Sequence, residues 1–150
     1  MLRALLLLLA AFAIPATAAT TATSPDGRLA VSIATDNDGR PNWSLTRDGK
    51  TVIAPSRLGF ILADAPKLER NFAITGQSTR SNDATWEQPW GERRYIRDHY
   101  NELTVHLAET KGPARKLDVI FRLHNDGIGF RYAFPDQPNL KTVRIQEELT

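Results

Sequence analysis

Leu117-Asp118-Val119-Ile120-Phe121-Arg122-Leu123-His124-Asn125-Asp126-Gly127-Ile128-Gly129-Phe130-Arg131-Tyr132-Ala133-Phe134 decides the fold. Leu117, Val119, Phe121 and Leu123 recur at every second position, and so do Ile128, Phe130, Tyr132 and Phe134. A two-residue period places alternate side chains on opposite faces, so each run is a half-buried strand. Asn125-Asp126-Gly127 between them is turn chemistry, and the pair predicts a hairpin.

The same period extends outward. Leu29, Val31 and Ile33 form one run, Trp43 and Leu45 another, and Leu58, Phe60 and Leu62 a third. Leu103, Val105 and Leu107 also follow helical spacing with Ile96 and Tyr100, but β-branched Thr104 and Val105 favour a strand. Pro25-Asp26-Gly27, Asp36-Asn37-Asp38-Gly39, Asp48-Gly49 and Lys111-Gly112-Pro113 punctuate these runs, and Asp48-Gly49 predicts a second tight hairpin. Many short strands with regular turn signals predict an all-β antiparallel sandwich. The stretch 76–91 is polar, lacks alternation and contains Pro89, so it is expected to be a long loop.

The N-terminus addresses the chain. Arg3, an apolar run over 4–14, Pro15 and Ala16-Thr17-Ala18 have the form of a secretory signal peptide over residues 1–18. The run is about half of the roughly 20 apolar residues a spanning helix needs, so no membrane anchor is expected. With no cysteine, neither lipidation at an N-terminal cysteine nor a disulfide is available. A bacterial periplasmic or extracellular location is expected, with residues 19–150 as one sandwich domain. Of 19 basic and 17 acidic side chains, only Arg3 falls in the signal, and so small an imbalance excludes a polyanion-binding footprint for nucleic acid. A (β/α)8 barrel, at about 250 residues, does not fit in this length.

Candidate chemistry concentrates in Thr85-Trp86-Glu87-Gln88-Pro89-Trp90-Gly91-Glu92 and in Arg93-Arg94-Tyr95-Ile96-Arg97-Asp98-His99-Tyr100-Asn101-Glu102. Trp86 and Trp90 beside Glu92 offer what a sugar ring needs, an apolar face and hydrogen-bonding groups. The competing reading, favoured by the usual burial of tryptophan, is that both indoles plug one end of the core. In a strand, Arg97, His99 and Asn101 share a face with Leu103, Val105 and Leu107, so polar groups fall on the core-facing side near one end. They then line a domain contact or ligand site, or they belong to an internal network of Arg97 or Arg94 with Asp98 or Glu102. A bulge would shift that phase. The candidates for carbohydrate binding or a domain interface are Trp86, Trp90, Glu92, Arg97, His99, Asn101 and Glu102. No catalytic residue and no metal ligand is assigned: the histidines lack ligand spacing, Asp36-Asn37-Asp38-Gly39 lacks the distal glutamate of a calcium loop, and there is no nucleophile elbow or phosphate loop.

Ser24-Pro25-Asp26-Gly27, Arg47-Asp48-Gly49-Lys50, Pro55-Ser56-Arg57-Leu58-Gly59, Trp86 with Trp90-Gly91-Glu92, Arg97-Asp98-His99-Tyr100-Asn101-Glu102-Leu103 and Asn125-Asp126-Gly127-Ile128-Gly129-Phe130-Arg131-Tyr132 occur in an order that resembles the N-terminal region of glycoside hydrolase family 97, bacterial α-glucosidases and α-galactosidases. The resemblance covers 24–150. It implies a β-sandwich packed against a catalytic (β/α)8 barrel, with a C-terminal β domain and an active-site calcium in the intact enzyme, none of these in this chain. It also implies barrel carboxylates acting on an α-linked glucoside or galactoside, with retention or inversion. Val143 and Ile145 begin an alternation that stops at Thr150, so a fragment of a longer sandwich, with open edges, is expected. The leading expectation is a non-catalytic supporting and carbohydrate-binding domain. A stand-alone carbohydrate-binding module and a periplasmic adhesion or assembly sandwich are the alternatives.

Overall fold

The computed structural model describes residues 19–150; the signal sequence expected over residues 1–18 lies outside the described residues. Ten strands and no helix are found there. One antiparallel sheet is formed in chain order by β1 (Thr20–Thr23), β2 (Leu29–Thr35), β3 (Pro41–Arg47) and β4 (Lys50–Arg57). A second is formed by β6 (Phe72–Glu87), β7 (Tyr95–Glu109), β8 (Lys116–Leu123) and β9 (Ile128–Ala133). Between them in sequence, β5 (Phe60–Leu62) pairs antiparallel with β10 (Ile145–Glu148).

The alternating runs of β2, β3, β7 and β8 became strands because each has a dry layer on one side. Leu29, Val31 and Ile33 of β2, with Trp43 and Leu45 of β3, meet Leu103, Val105 and Leu107 of β7 and Leu117, Val119, Phe121 and Leu123 of β8 in one buried cluster. Trp43 is 6% exposed and its ring lies 5.6 Å from Phe121 and 5.3 Å from Phe130. The chain is a β-sandwich with this layer at its centre.

The expected hairpins are both present. Arg47 pairs with Lys50, and Asp48 and Gly49 have φ of 49° and 75°, the two positive values of a type I′ turn. Leu123 pairs with Ile128 and the His124 amide donates to the Gly127 carbonyl, but Gly127 is absent from the positive-φ residues, so that turn closes by a different backbone path. Gly59, at φ 136°, is needed for space as well as conformation: a Cβ there would lie 2.5 Å from the Leu68 carbonyl oxygen. The outer strand β4 carries Lys50, Pro55 and Arg57 and two register shifts against β3, features that discourage pairing with another chain's edge.

The stretch 76–91 is not a long loop. Residues through Glu87 continue β6, paired one-to-one with β7 from Gly76 opposite His106 to Glu87 opposite Tyr95. Alternation records one-sided burial; residues 77–81 are exposed on the edge strand of the sheet, and from Asn82 the strand runs past it, so these polar residues carry no such record.

One ion pair is wholly inside. Arg115, 2% exposed, donates from Nε (2.8 Å) and Nη2 (2.6 Å) to Glu109, from Nη1 to the Pro66 carbonyl (2.7 Å) and from Nη2 to the Lys67 carbonyl (3.0 Å). It thereby pins the loop after β5 to the β7–β8 turn. Such a pair is tolerated only when its hydrogen bonds are this complete. Glu109→Ala, which strands the guanidinium, is expected to lower the unfolding free energy by about 3–5 kcal/mol in urea denaturation. A loss below about 1 kcal/mol would mean that water already reaches the pair.

Candidate functional site

β8 flanks β7 only as far as Asn101, which pairs with Leu123, whereas β6 and β7 stay paired to Glu87 opposite Tyr95. The pairs from Asn82–Tyr100 outward therefore form a two-stranded ribbon that extends beyond the four-stranded sheet. Unsupported ribbons are marginal, so cross-strand side chains must hold this one. Arg97 makes a two-pronged bond to Asp83 from Nε (2.7 Å) and Nη2 (2.8 Å), and Arg94 Nε donates to Glu87 (2.8 Å). Asn82 Nδ2 donates to the backbone and carboxylate oxygens of Asp98, at 2.7 and 3.2 Å. The tip closes where the Gln88 amide donates to the Arg94 carbonyl (2.9 Å) and the Gln88 side-chain amide to the Arg93 carbonyl.

The ribbon carries the exposed aromatic surface. Trp86 is 51% and Trp90 82% exposed, and Tyr95 is also exposed beneath the Arg94 guanidinium, 5.4 Å from its ring centre. The reading of both indoles as a core plug is thus corrected: Trp43 fills the core, and the ribbon lies outside it. Trp90 and Glu92 sit in the tip loop, residues 88–94, and Trp86 on the strand leading into it.

The expected grouping of the remaining residues holds in phase but not in burial. Arg97, His99 and Asn101 do fall on the face of Leu103, yet Arg97 is exposed because the opposing sheet does not reach it. His99 stands directly across from Asp83. Asn101 accepts from Ser81 Oγ (2.7 Å) and donates to the Thr23 carbonyl (2.9 Å), tying the ribbon's base to β1. The partners expected for Arg97 and Arg94, Asp98 or Glu102, are replaced by Asp83 and Glu87, since cross-strand neighbours are closer than residues along one strand.

Glu102 belongs to the opposite, outer face of the second sheet. It is buried and accepts from Arg80 Nε (2.6 Å) and Nη2 (3.0 Å) and from Arg122 Nε (2.6 Å). The Arg122 guanidinium lies 4.5 Å from the Tyr100 ring centre, and His124 packs on that ring at 5.4 Å. The Arg80 hydrogen bond, joined by that of Arg122, overcomes burial and lowers the Glu102 carboxyl to about 2. Arg80, Arg122, Tyr100 and His124 were not among the sequence candidates. Had 76–91 been read as a strand, the one-to-one register would have placed Arg80 across from Glu102.

Asp83, Glu87 and Glu102 are thus committed to arginines. Asp83 is held below the usual range by its bond from Arg97, and Glu102 stays ionised far below neutrality, so neither is a proton donor near pH 7. Among the described residues no three His, Asp or Glu side chains converge on a metal-sized site. At the acidic turn, Asp36 Oδ1 accepts from the amides of Asp38 (2.9 Å) and Arg40 (2.8 Å), and the Arg40 guanidinium lies 2.9 Å from Asp38. With its carboxylates engaged by backbone amides and by Arg40, this turn does not fit a calcium ion.

Comparison with known proteins agrees with this fold. A family model described as "Glycosyl-hydrolase 97 N-terminal" matches residues 22–150. A retaining α-galactosidase of Bacteroides thetaiotaomicron is 30% identical over 112 residues, covering 75% of this chain and 16% of the relative. A glycoside hydrolase family 97 enzyme of Pseudoalteromonas sp., solved in complex with panose, superposes with a TM-score of 0.82 at 36% identity over 87% of this chain and 20% of that one. The same enzyme with acarbose gives 0.81 at 36% identity over 86% and 19%. The chain therefore spans about a fifth or less of the length of these relatives.

Two measurements test the site. Trp86→Ala and Trp90→Ala are expected to leave stability within about 1 kcal/mol of the parent, whereas Trp43→Ala should cost about 3–5 kcal/mol. Equal losses would return the ribbon indoles to a core. Glu102 has a folded-state value near 2 against an ordinary 4.5, so its contribution is complete above pH 4.5 and disappears as pH falls through 2. Glu102→Gln should flatten that part of the stability–pH curve, and an unchanged acid limb would contradict the clamp.

Proposed function

We propose, from the premise that this chain belongs to glycoside hydrolase family 97 as its N-terminal domain, that it is the non-catalytic sandwich of a secreted α-glycosidase. In this reading it supports a catalytic (β/α)8 barrel and a C-terminal β domain and lends the ribbon as one wall of a sugar-binding cleft. The signal-like residues 1–18 support export to the periplasm or beyond.

The observation that carries the reading is the ribbon itself. Trp86, Trp90 and Tyr95 stand exposed on a two-stranded projection beyond the core, with arginine–carboxylate pairs beside them. Exposed aromatic surface rimmed by polar groups suits a sugar or a neighbouring domain. The chemistry is assigned elsewhere because glycoside hydrolysis needs two working carboxyl groups, one of them protonated or nucleophilic. Asp83, Glu87 and Glu102 are each bonded to arginine.

Exposure of both indoles also favours a second reading, a stand-alone module with Trp86 and Trp90 as its platform. The substrate class in either case is an α-linked glucoside or galactoside, by analogy with the relatives solved with panose and acarbose and the α-galactosidase.

The purified chain is expected to release no nitrophenol from aryl α-glucosides or α-galactosides; turnover would refute the non-catalytic assignment. Titration with panose, followed by tryptophan fluorescence, separates the two readings. Saturable quenching lost in Trp86→Ala or Trp90→Ala supports the module, and an unchanged spectrum supports a wall that needs its barrel.

A further inference from the structure

Beyond the ribbon, the outer face of the second sheet holds a depression of about 270 Å³ lined by Ile120, Arg122, His124, Gly129, Phe130 and Arg131. Register explains it. Arg80, Glu102, Arg122 and Gly129 form one cross-strand row, and Thr104, Ile120 and Arg131 form the next. Where the first row reaches β9 it ends in a glycine, and a Cβ built at Gly129 meets nothing within 4 Å. The missing side chain opens a notch between two arginines.

The donors around this notch are positioned and unspent. Arg122 is fixed on two sides, by its Nε bond to Glu102 and by the Tyr100 ring. Among the described residues its two terminal nitrogens hold no hydrogen bond, and neither does the Arg131 side chain or the His124 ring. Glu102 does not compete, because Arg80 and the Arg122 Nε already occupy its oxygens. Asp118, the other carboxylate of β8 and four residues before Arg122, is bonded to His106 at 2.8 Å. Ile120 supplies an apolar floor.

We propose that this depression binds the carboxylate of a uronate sugar, with Arg122 and Arg131 sharing its two oxygens. A planar guanidinium already held in place matches a carboxylate fork and loses little freedom on binding. The volume lies just below the range of about 300–1,000 Å³ usual for ligand pockets, which suits a single sugar ring. The proposal goes beyond the cleft-wall reading and is independent of it: it concerns a different face and an acidic rather than a neutral sugar.

The test is calorimetric or NMR titration of the purified chain with glucuronate, glucose, acetate and inorganic phosphate at fixed ionic strength. Glucuronate should bind saturably, glucose should not bind, and acetate and phosphate should bind more weakly than glucuronate. Arg131→Gln, which breaks no bond of the fold, should weaken glucuronate about tenfold, the loss of one charge-assisted hydrogen bond. Gly129→Val, which fills the notch with a residue that strands favour, should abolish binding while the thermal transition is retained. The proposal is overturned if glucose binds as well as glucuronate, if phosphate binds as tightly, or if glucuronate binding survives Gly129→Val.

Discussion

Side chains from β2 and β3 meet those of β7 and β8 across a layer that water does not enter, and the positions of all other groups follow from it. Because successive strand residues alternate between faces, burying Leu103, Val105 and Leu107 commits Glu102, Thr104 and His106 to the outside of the same sheet. A slip of one residue would drive that second set into the core. The register that protects the apolar layer therefore also aligns Arg80, Glu102, Arg122 and Gly129 in one row on the outer face.

Charge is handled differently at three depths. Inside, Arg115 and Glu109 satisfy one another and two carbonyls, so the pair holds a loop in place without an unpaired group. At the outer face, Glu102 gathers two arginines that approach from either side and keeps its charge well into acid. Along the ribbon, Arg97 with Asp83 and Arg94 with Glu87 are exposed to water and are worth little individually, but they bridge the only two strands present. Proton transfer needs a carboxyl group that is not so engaged, and Asp83, Glu87, Glu102 and Glu109 are each bonded to an arginine.

Membership of glycoside hydrolase family 97 gives the exposed surfaces a context. The chain spans 16–20% of the relatives it matches. The ribbon presents rings and paired charges, whereas the outer-face depression presents Arg131 and the terminal nitrogens of Arg122, whose Nε alone is bonded to Glu102.

The strands over Leu29–Thr35, Pro41–Arg47 and Lys116–Leu123, and the turn at Asp48-Gly49, were legible in the sequence because period-two burial and positive-φ turns are local properties written residue by residue. Family resemblance was likewise legible, from ordered motifs such as Trp90-Gly91-Glu92 and Phe130-Arg131-Tyr132. The outer half of β6 was not, because a strand with solvent on both faces has no pattern to show. For the same reason Trp86 and Trp90 looked like core residues until the ribbon was seen to pass beyond the opposing sheet. Only tertiary structure decided which carboxylate meets which arginine, since Glu102 lies 22 residues from Arg80 and 20 from Arg122 in the chain. Sequence spacing determines the face on which a side chain stands; its neighbour on that face comes from another strand, and the pairing of strands is a property of the whole fold.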